Sequence, residues 1–385
     1  MFSLFHRLGR VKNDSVKNRT NIICFRPDYL FKDLVSRFEE AGCVFSDLPM
    51  KGYSSYIWMR PQEIWHLEYL SQNKDHEEIS NAYKQEYAKQ KISFKELQRI
   101  KTVSVAIHHG TCFKPLYQFC YKNLAASLRN VKAVVGVCPF QECYGPSADL
   151  ASQNNFFFKP IGFDDQLFNE RKILDHDGEE FVIGFVGRNY GMLELKSSSS
   201  ELDQPLGYRK GEDILLNILL RLKSTGVKFR LSLLGCNWTR LVRNLEKYGI
   251  PYDYHDRYNG ISYERDYPSL YSHFDCLLIA ARCEGGPVTA LEALALGVPI
   301  VGTNVGILPF LNHLLDHSEY CQLFSFDPKW GTVDYENAVN IISCLSENKK
   351  NRTVADRLLI RKKVLPYTTK EWIRFVMKLA RENSF

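Results

Sequence analysis

The sequence predicts an α/β protein of two domains, each a parallel sheet with helices on both faces. Three observations predict it. Apolar runs of strand length alternate with amphipathic stretches of helix length along the chain, the pattern of repeated strand–helix units. At 385 residues the chain is long for one core, since domains most often hold about 100–200 residues. A charged stretch, "NERKILDHDGEE" at 169–180, interrupts the apolar pattern just ahead of the strand-like "FVIGFVG". The expected division is therefore residues 1–175, residues 176–368 and a closing helix over 369–385.

In the first domain the expected strands are 21–25, 56–59, 102–108, 133–138 and 156–160, short runs dominated by apolar, β-branched or aromatic side chains. Helical periodicity fills 28–41, 77–90 and 114–128 between them. In the second domain strands are expected at 181–186, 228–234, 275–280 and 299–302, with helices at 212–223, 239–248, 267–273 and 287–296. The final stretch, "TKEWIRFVMKLAREN" at 369–383, sets Trp372, Phe375, Val376 and Leu379 at helical spacing. Such a helix is expected to cross back onto the first domain. Two α/β domains leave a cleft between them, and ligands of open parallel sheets bind in such crevices.

Composition excludes several classes. The 11 cysteines are scattered with no CxxC pair, which fits reduced thiols in a cytoplasmic protein and argues against a disulfide framework or a zinc site. No apolar run reaches the roughly 18 residues of a membrane span. The first 20 residues lack the long apolar core of a signal peptide. We read them as a loose arm; Phe2, Leu4, Phe5 and Leu8 beside Arg7 and Arg10 offer a short in-plane membrane anchor as the alternative. The formal charge of +6 is uneven: residues 1–175 carry 24 − 19 = +5 and the remainder 26 − 25 = +1. An anionic partner or a plain solvated surface both account for that excess. No helix carries a basic stripe interleaved with aromatics, so nucleic acid is not an expected partner.

The chemistry concentrates in "CEGGPVTALEALALGVPIVGTNVG", 283–306. The helix expected from Pro287 is almost wholly apolar apart from Thr289 and Glu292, which share a face. Pro287 suits the first helical position, where its missing N–H costs nothing. The next N–H groups, of Val288 and Thr289, would then point out of the helix start and with its dipole form a phosphate site. Gly285 and Gly286 let an anion approach the backbone. A carboxylate buried at Glu292 costs several kcal/mol, about the penalty of any unpaired buried charge, and two ribose hydroxyls would satisfy it. Glu284 stands beside the glycines, at the other end of a nucleoside diphosphate. The bland alternative is a pair of glutamates that cap local N–H groups.

This stretch resembles the E-x7-E signature of retaining GT-B glycosyltransferases, the group 1 or family 4-like class that includes bacterial lipopolysaccharide and capsule enzymes. The resemblance implies two Rossmann-like domains facing across a cleft, an N-terminal acceptor domain and a C-terminal donor domain. It implies that Glu284 contacts the donor sugar, that Glu292 holds the ribose and that the backbone after Gly-Gly-Pro holds the diphosphate. "FVIGFVGR" and "YRKGEDILLNIL" are similar to the segments carrying the paired cations, here Arg188 and Lys210, whose role is to neutralise the leaving diphosphate. "IGFDDQLF" at 161–168 resembles the segment that closes the first domain. In "SVAIHHGTCF" the resemblance assigns His109 to face the donor sugar, with His108 the rival. Contacts to the base are expected from 236–239 and 259–263. Two departures stand out. The cations are 22 residues apart instead of about five in the class, through an insertion at 190–208 read as a flap or a plain insertion, and Arg209 is a second candidate for Lys210's role. "CFRPDYLF" also replaces the usual Gly-Gly turn after the first strand.

The implied activity is transfer of a sugar from a nucleotide-sugar donor to a glycolipid or polysaccharide acceptor with retention of configuration. No metal or cofactor is expected, the nucleoside diphosphate sugar being a co-substrate. The acceptor expectation, with peripheral association at the inner face of the membrane, rests on the basic first half, the N-terminal arm and the aromatic, basic segment "KGYSSYIWMRPQEIW" at 51–65. Competing readings are a metal-dependent transferase holding its cation on Asp175 and Asp177, a nucleotide-sugar epimerase of the same architecture, and a non-catalytic nucleotide-sugar-binding subunit.

Overall fold

A computed structural model describes residues 19–24, 32–46, 53–59, 105–108, 131–139, 152–174, 178–189, 210–282, 284–327 and 331–383. They fall into two compact units: those within Met1–His108, Ala126–Val135 and Ile373–Phe385, and those within His109–Ala125 and Gly136–Trp372. The helices expected at 77–90 and 114–128 lie outside the described residues.

The first sheet has the order β2-β1-β3-β4-β5-β6, with β1 Thr20–Ile23, β2 Cys43–Ser46, β3 Ser55–Met59, β4 Val105–His108, β5 Ala133–Gly136 and β6 Phe156–Phe158. β1 runs parallel to β2 and β3, and β3 parallel to β4. Ile22, Ile23, Val105, Val134 and Val135 are buried along it, as a sheet covered on both faces requires. Ile57, Trp58 and Met59 are buried too, so that part of the 51–65 segment serves the core and not a membrane surface. From Ile373 onward the helix Thr369–Glu382 belongs to this unit, and Met377 Sδ lies 3.4 Å from Cys43 Sγ.

The second unit carries the sheet that matters for the site. Its strands are β7 Phe181–Arg188, β8 Phe229–Cys236, β9 Tyr252–Asp256, β10 Cys276–Ile279, β11 Ile300–Thr303 and β12 Cys321–Phe324, in the order β12-β11-β10-β7-β8-β9. All five pairings are parallel. Counted from β7 this is 3-2-1-4-5-6, the doubly wound order, with the winding reversed between β7 and β10. β7 shows the period of two. Phe181, Ile183 and Phe185 pack with Ile214, Leu215, Ile218 and Leu219 of the helix Glu212–Thr225. Val182 and Val186 face the opposite layer, with Tyr271, Phe274 and Leu291.

Element bounds differ from expectation where tertiary context outweighs local pattern. The helix expected at 267–273 runs Tyr263–Ser272. Pro268 suggests a later start, yet Ser262 caps the helix: its hydroxyl accepts the Arg265 N–H at 3.4 Å and its own N–H donates to Asp266 Oδ2 at 2.7 Å. The helix expected from Pro287 runs Val288–Ala295, with Pro287 outside it as the N-cap at ψ 101°. β9, "YDYHD", is half buried and carries polar side chains at alternate positions, which hides it from a search for apolar runs. β12, the helices Thr239–Lys247, Leu308–Leu314, Tyr335–Glu347 and Val354–Val364, and the short antiparallel pair Phe326–Asp327 with Thr332–Val333 also belong to the unit. Cys138, Cys236, Cys276 and Cys321 are buried thiols, acting as small apolar side chains. Among the described residues no helix is long and apolar enough to cross a membrane.

One buried ion pair ties the sheet to its covering helices. Asp275 is fully buried and accepts the Val182 N–H and the Lys349 ammonium, each at 2.8 Å. Arg352 donates to the Asp275 carbonyl at 2.8 Å and to the Leu345 carbonyl at 3.0 Å. Asp275→Ala leaves the Lys349 charge buried and should cost about 3–5 kcal/mol. Urea unfolding followed by circular dichroism checks this: an unchanged midpoint would show that the pair adds nothing to stability.

Candidate functional site

The site is organised around the four residues that begin the Glu212–Thr225 helix, each tying it to a different neighbour. The Lys210 ammonium pairs with the Glu284 carboxylate. Gly211 adopts φ +69°, and a Cβ there would lie 1.7 Å from the Ala280 carbonyl oxygen, so only glycine lets the helix start rest on the end of β10. Glu212, 4% exposed, accepts from Arg240 Nε at 2.9 Å and Nη2 at 2.8 Å and from Asn189 Nδ2 at 3.1 Å. Asp213 takes a two-pronged contact from Arg282 at 2.6 and 2.5 Å, the geometry that suits a guanidinium fork.

Asn189 follows directly on Arg188, the last residue of β7. Its N–H donates to the Cys236 carbonyl at 3.0 Å, and its own carbonyl accepts from Asn237 Nδ2 at 3.1 Å. Asn189 and Glu212, on either side of the 190–208 insertion, are thus bonded to each other, and Asn189 to the end of β8. The insertion itself lies outside the described residues, as does Arg209.

Past β10 the chain turns through Glu284, 6% exposed, into Gly285 and Gly286. A Cβ on Gly286 would sit 2.9 Å from the Val137 carbonyl oxygen. The glycine therefore answers a close approach of protein backbone as well as any need of a ligand. The Val288–Ala295 helix follows, and the Ala290 N–H closes its first turn onto Pro287 O at 3.0 Å. The N–H groups of Val288 and Thr289 precede it, among the donors that a helix start leaves without an internal partner.

Glu292 is 2% exposed. Its Oε1 accepts from the Tyr263 hydroxyl and its Oε2 from the Tyr271 hydroxyl, the latter at 2.8 Å. Burial pushes its carboxyl up to about 7, against the two phenol donors, while Asp164 adds to the rise. The neighbouring Tyr267 hydroxyl is pushed up to about 12, chiefly by burial, and feels the charges of Arg257, Glu292 and Arg188. Arg188 ends β7, and Glu292 lies in the helix that follows β10. Phe168, from the 161–168 segment, packs edge-on to Tyr271 at 5.4 Å between ring centres.

The structure thus gathers Arg188, Lys210, Glu284, Gly285, Gly286, Val288, Thr289 and Glu292 at the carboxyl ends of β7 and β10, where the winding reverses. It pairs Lys210 with Glu284, residues that sequence reasoning gave separate roles. His109, Asp175 and Asp177 lie outside the described residues, as does the side chain of His108. Sequence reasoning missed Gly211, Glu212, Asn189 and Tyr271, and it gave Tyr263 to the base-contacting segment 259–263 and not to Glu292. "RKGED" held a signal for the first two: a glycine ahead of two acids marks a helix start.

Residues 205–314 match the family model "Glycosyl transferases group 1". No curated protein sequence matches the chain. Among solved structures, a sucrose-phosphate synthase from Thermosynechococcus elongatus is similar with a TM-score of 0.59 at 14% identity, over 95% of this chain and 98% of that one. HepE of Anabaena, in complex with UDP and glucose, gives 0.55 at 12% identity, over 94% and 99%. A glycosyltransferase from Rickettsia africae gives 0.54 at 12%, over 95% and 98%. The chain is a glycosyltransferase of GT-B fold. The structural likeness carries the two-domain Rossmann-like fold, and the matched segment, which begins just before Lys210 and ends past Glu292, carries the transferase assignment.

Two outcomes follow from these contacts. The folded state holds the Glu292 proton more tightly than the unfolded chain, so this group's contribution to stability is full below about pH 4.5 and is lost as pH rises through about 7. Glu292→Gln should therefore raise the melting temperature more at about pH 8 than at about pH 5; calorimetry showing equal shifts at both would reject this. Glu212→Ala should cost about 1–3 kcal/mol by leaving its donors without their acceptor, with Glu212→Gln costing less, read from denaturant midpoints.

Proposed function

We propose that this glycosyltransferase moves a sugar from a nucleoside diphosphate donor to a glycan or glycolipid acceptor, with retention of configuration and no metal ion. The observation that carries the reading is the meeting of two cations, a glycine-bordered helix start and two buried carboxylates at the reversal point of the second sheet. A nucleoside diphosphate needs each of these: cations and N–H groups for phosphate, a carboxylate for the ribose hydroxyls, and a second carboxylate for the sugar. The HepE structure holds UDP and glucose, so a UDP-hexose is the first donor to test.

In the proposed reaction the bond between the anomeric carbon and the leaving phosphate oxygen breaks as the acceptor oxygen bonds the same face. The acceptor proton passes to that phosphate oxygen. Negative charge grows on the diphosphate, and Arg188, Lys210 and the Val288–Thr289 N–H groups stabilise it there. Glu284 holds the Lys210 ammonium at this spot before the donor arrives and is placed to take a sugar hydroxyl afterwards. His109 is proposed, on resemblance alone, to face the donor sugar. The remaining motives for a membrane-bound acceptor are the basic first half and the N-terminal arm.

Arg188→Ala and Lys210→Ala should each lower turnover by about 10²–10³, the usual loss on removing a donor aimed at developing charge. Proton NMR of the product should show the donor's anomeric configuration, and excess EDTA should leave the rate unchanged. An inverted product would overturn the retaining reading; loss of activity on chelation with rescue by manganese would overturn the metal-free one. Conversion of the donor to its epimer without any acceptor would replace transfer by epimerisation.

A further inference from the structure

We propose that Tyr263 and Tyr271 are positioning residues for the donor nucleotide, their hydroxyls orienting the Glu292 carboxylate so that its two open acceptor positions meet a ribose diol. The inference rests on the ribose reading of Glu292. An ionised carboxylate offers about four lone-pair sites, two on each oxygen. The Tyr263 hydroxyl takes one on Oε1 and the Tyr271 hydroxyl one on Oε2. One site per oxygen remains, which is the demand of two adjacent O–H donors.

The two phenols are held differently. Tyr271 is fully buried, with its ring 5.4 Å from Phe168 and 5.1 Å from Phe274, so the core sets the place of its hydroxyl. Tyr263 opens the helix just after the Ser262 cap, is half buried, and packs on Tyr267 at 5.2 Å and Phe168 at 6.1 Å. Its hydroxyl thus reaches Glu292 from the segment 259–263, where base contacts are expected. Without these donors a carboxylate in this setting would be free to rotate about its last torsion, and its proton would be held more tightly. Tyr263 and Tyr271 bond it from their helix, and the charge of Asp164 in the 161–168 segment acts on it. Tyr267, on the same helix, feels the charges of Glu292, Arg188 at the end of β7 and Arg257 just past β9.

The test measures affinity by titration calorimetry for whichever of UDP, GDP and ADP binds the wild-type protein most tightly, and for its 2′-deoxy and 3′-deoxy forms. Wild-type protein should prefer the ribose form by about tenfold, the worth of a hydrogen bond to a charged group, and Glu292→Gln should reduce that preference. Tyr263→Phe and Tyr271→Phe should each reduce it several-fold while leaving affinity for the deoxy forms in place. Both variants should also move the pH at which the ribose form gains affinity upward, because the carboxyl has lost a donor that favours its charged state. A tyrosine held only for stability would lower the melting temperature and leave the preference and the pH profile unchanged; that result in both variants overturns the proposal while the Glu292→Gln result keeps the ribose reading. A wild-type preference absent, or unaltered in Glu292→Gln, overturns the ribose reading and the proposal with it.

Discussion

The reversal of winding between β7 and β10 is the constraint on which the rest depends. Crossovers on either side of it leave for opposite faces of the sheet, so the carboxyl ends of these two strands are left uncovered by either. The residues proposed for donor chemistry in the second unit lie at that gap. Arg188 ends β7, Lys210 begins the helix that follows it, and Glu284 and Glu292 come off the end of β10. The ties made by residues 210–213 do not create the crevice; they fix the cations at its rim. Gly211 against Ala280 brings the helix start to backbone contact distance of the end of β10, and the side chains of Glu212 and Asp213 then bond to opposite sides.

Glu292 shows the opposite tension between stability and use. An acid buried this completely favours its neutral form, and its two phenol partners only partly offset burial. The free protein thus carries a destabilising charge near neutral pH in order to keep an acceptor in an apolar helix. Its layer absorbs this with an otherwise apolar surround in which Leu291, Ala293, Leu294 and Ala295 are all fully buried. Asp275 is the contrasting case: an equally buried acid, matched by an ammonium and a backbone N–H, with a structural role.

The stretch 283–306 stood out in the sequence because glycines, a proline and two acids interrupt an apolar run. The parallel-sheet architecture was legible from β7, β8, β10 and β11, whose largely buried strands read as mostly apolar runs. What stayed hidden was relational. Tyr263 and Tyr271 sit 29 and 21 residues from Glu292; nothing in the sequence ties either to that acid, and Pro268 disguised the start of their helix. Glu212 looks like any acid in a first helical turn; its meaning comes from Asn189 across the insertion and Arg240 across β8. β9 escaped because half-buried strands carry polar side chains, and only pairing with β8 makes "YDYHD" a strand.

The bond between Asn189 and Glu212 also bears on how such a chain can diversify. Two described residues that flank the 190–208 insertion are thereby joined, whatever sequence stands between them. Lengthening it adds only the slow, logarithmic cost of closing a longer loop, about 0.6 kcal/mol for each doubling. Its length and composition are therefore nearly decoupled from where the two cations stand. Evolution, or an engineer, has between Asn189 and Lys210 a place to graft new sequence while the contacts of Asn189, Lys210 and Glu212 keep their geometry.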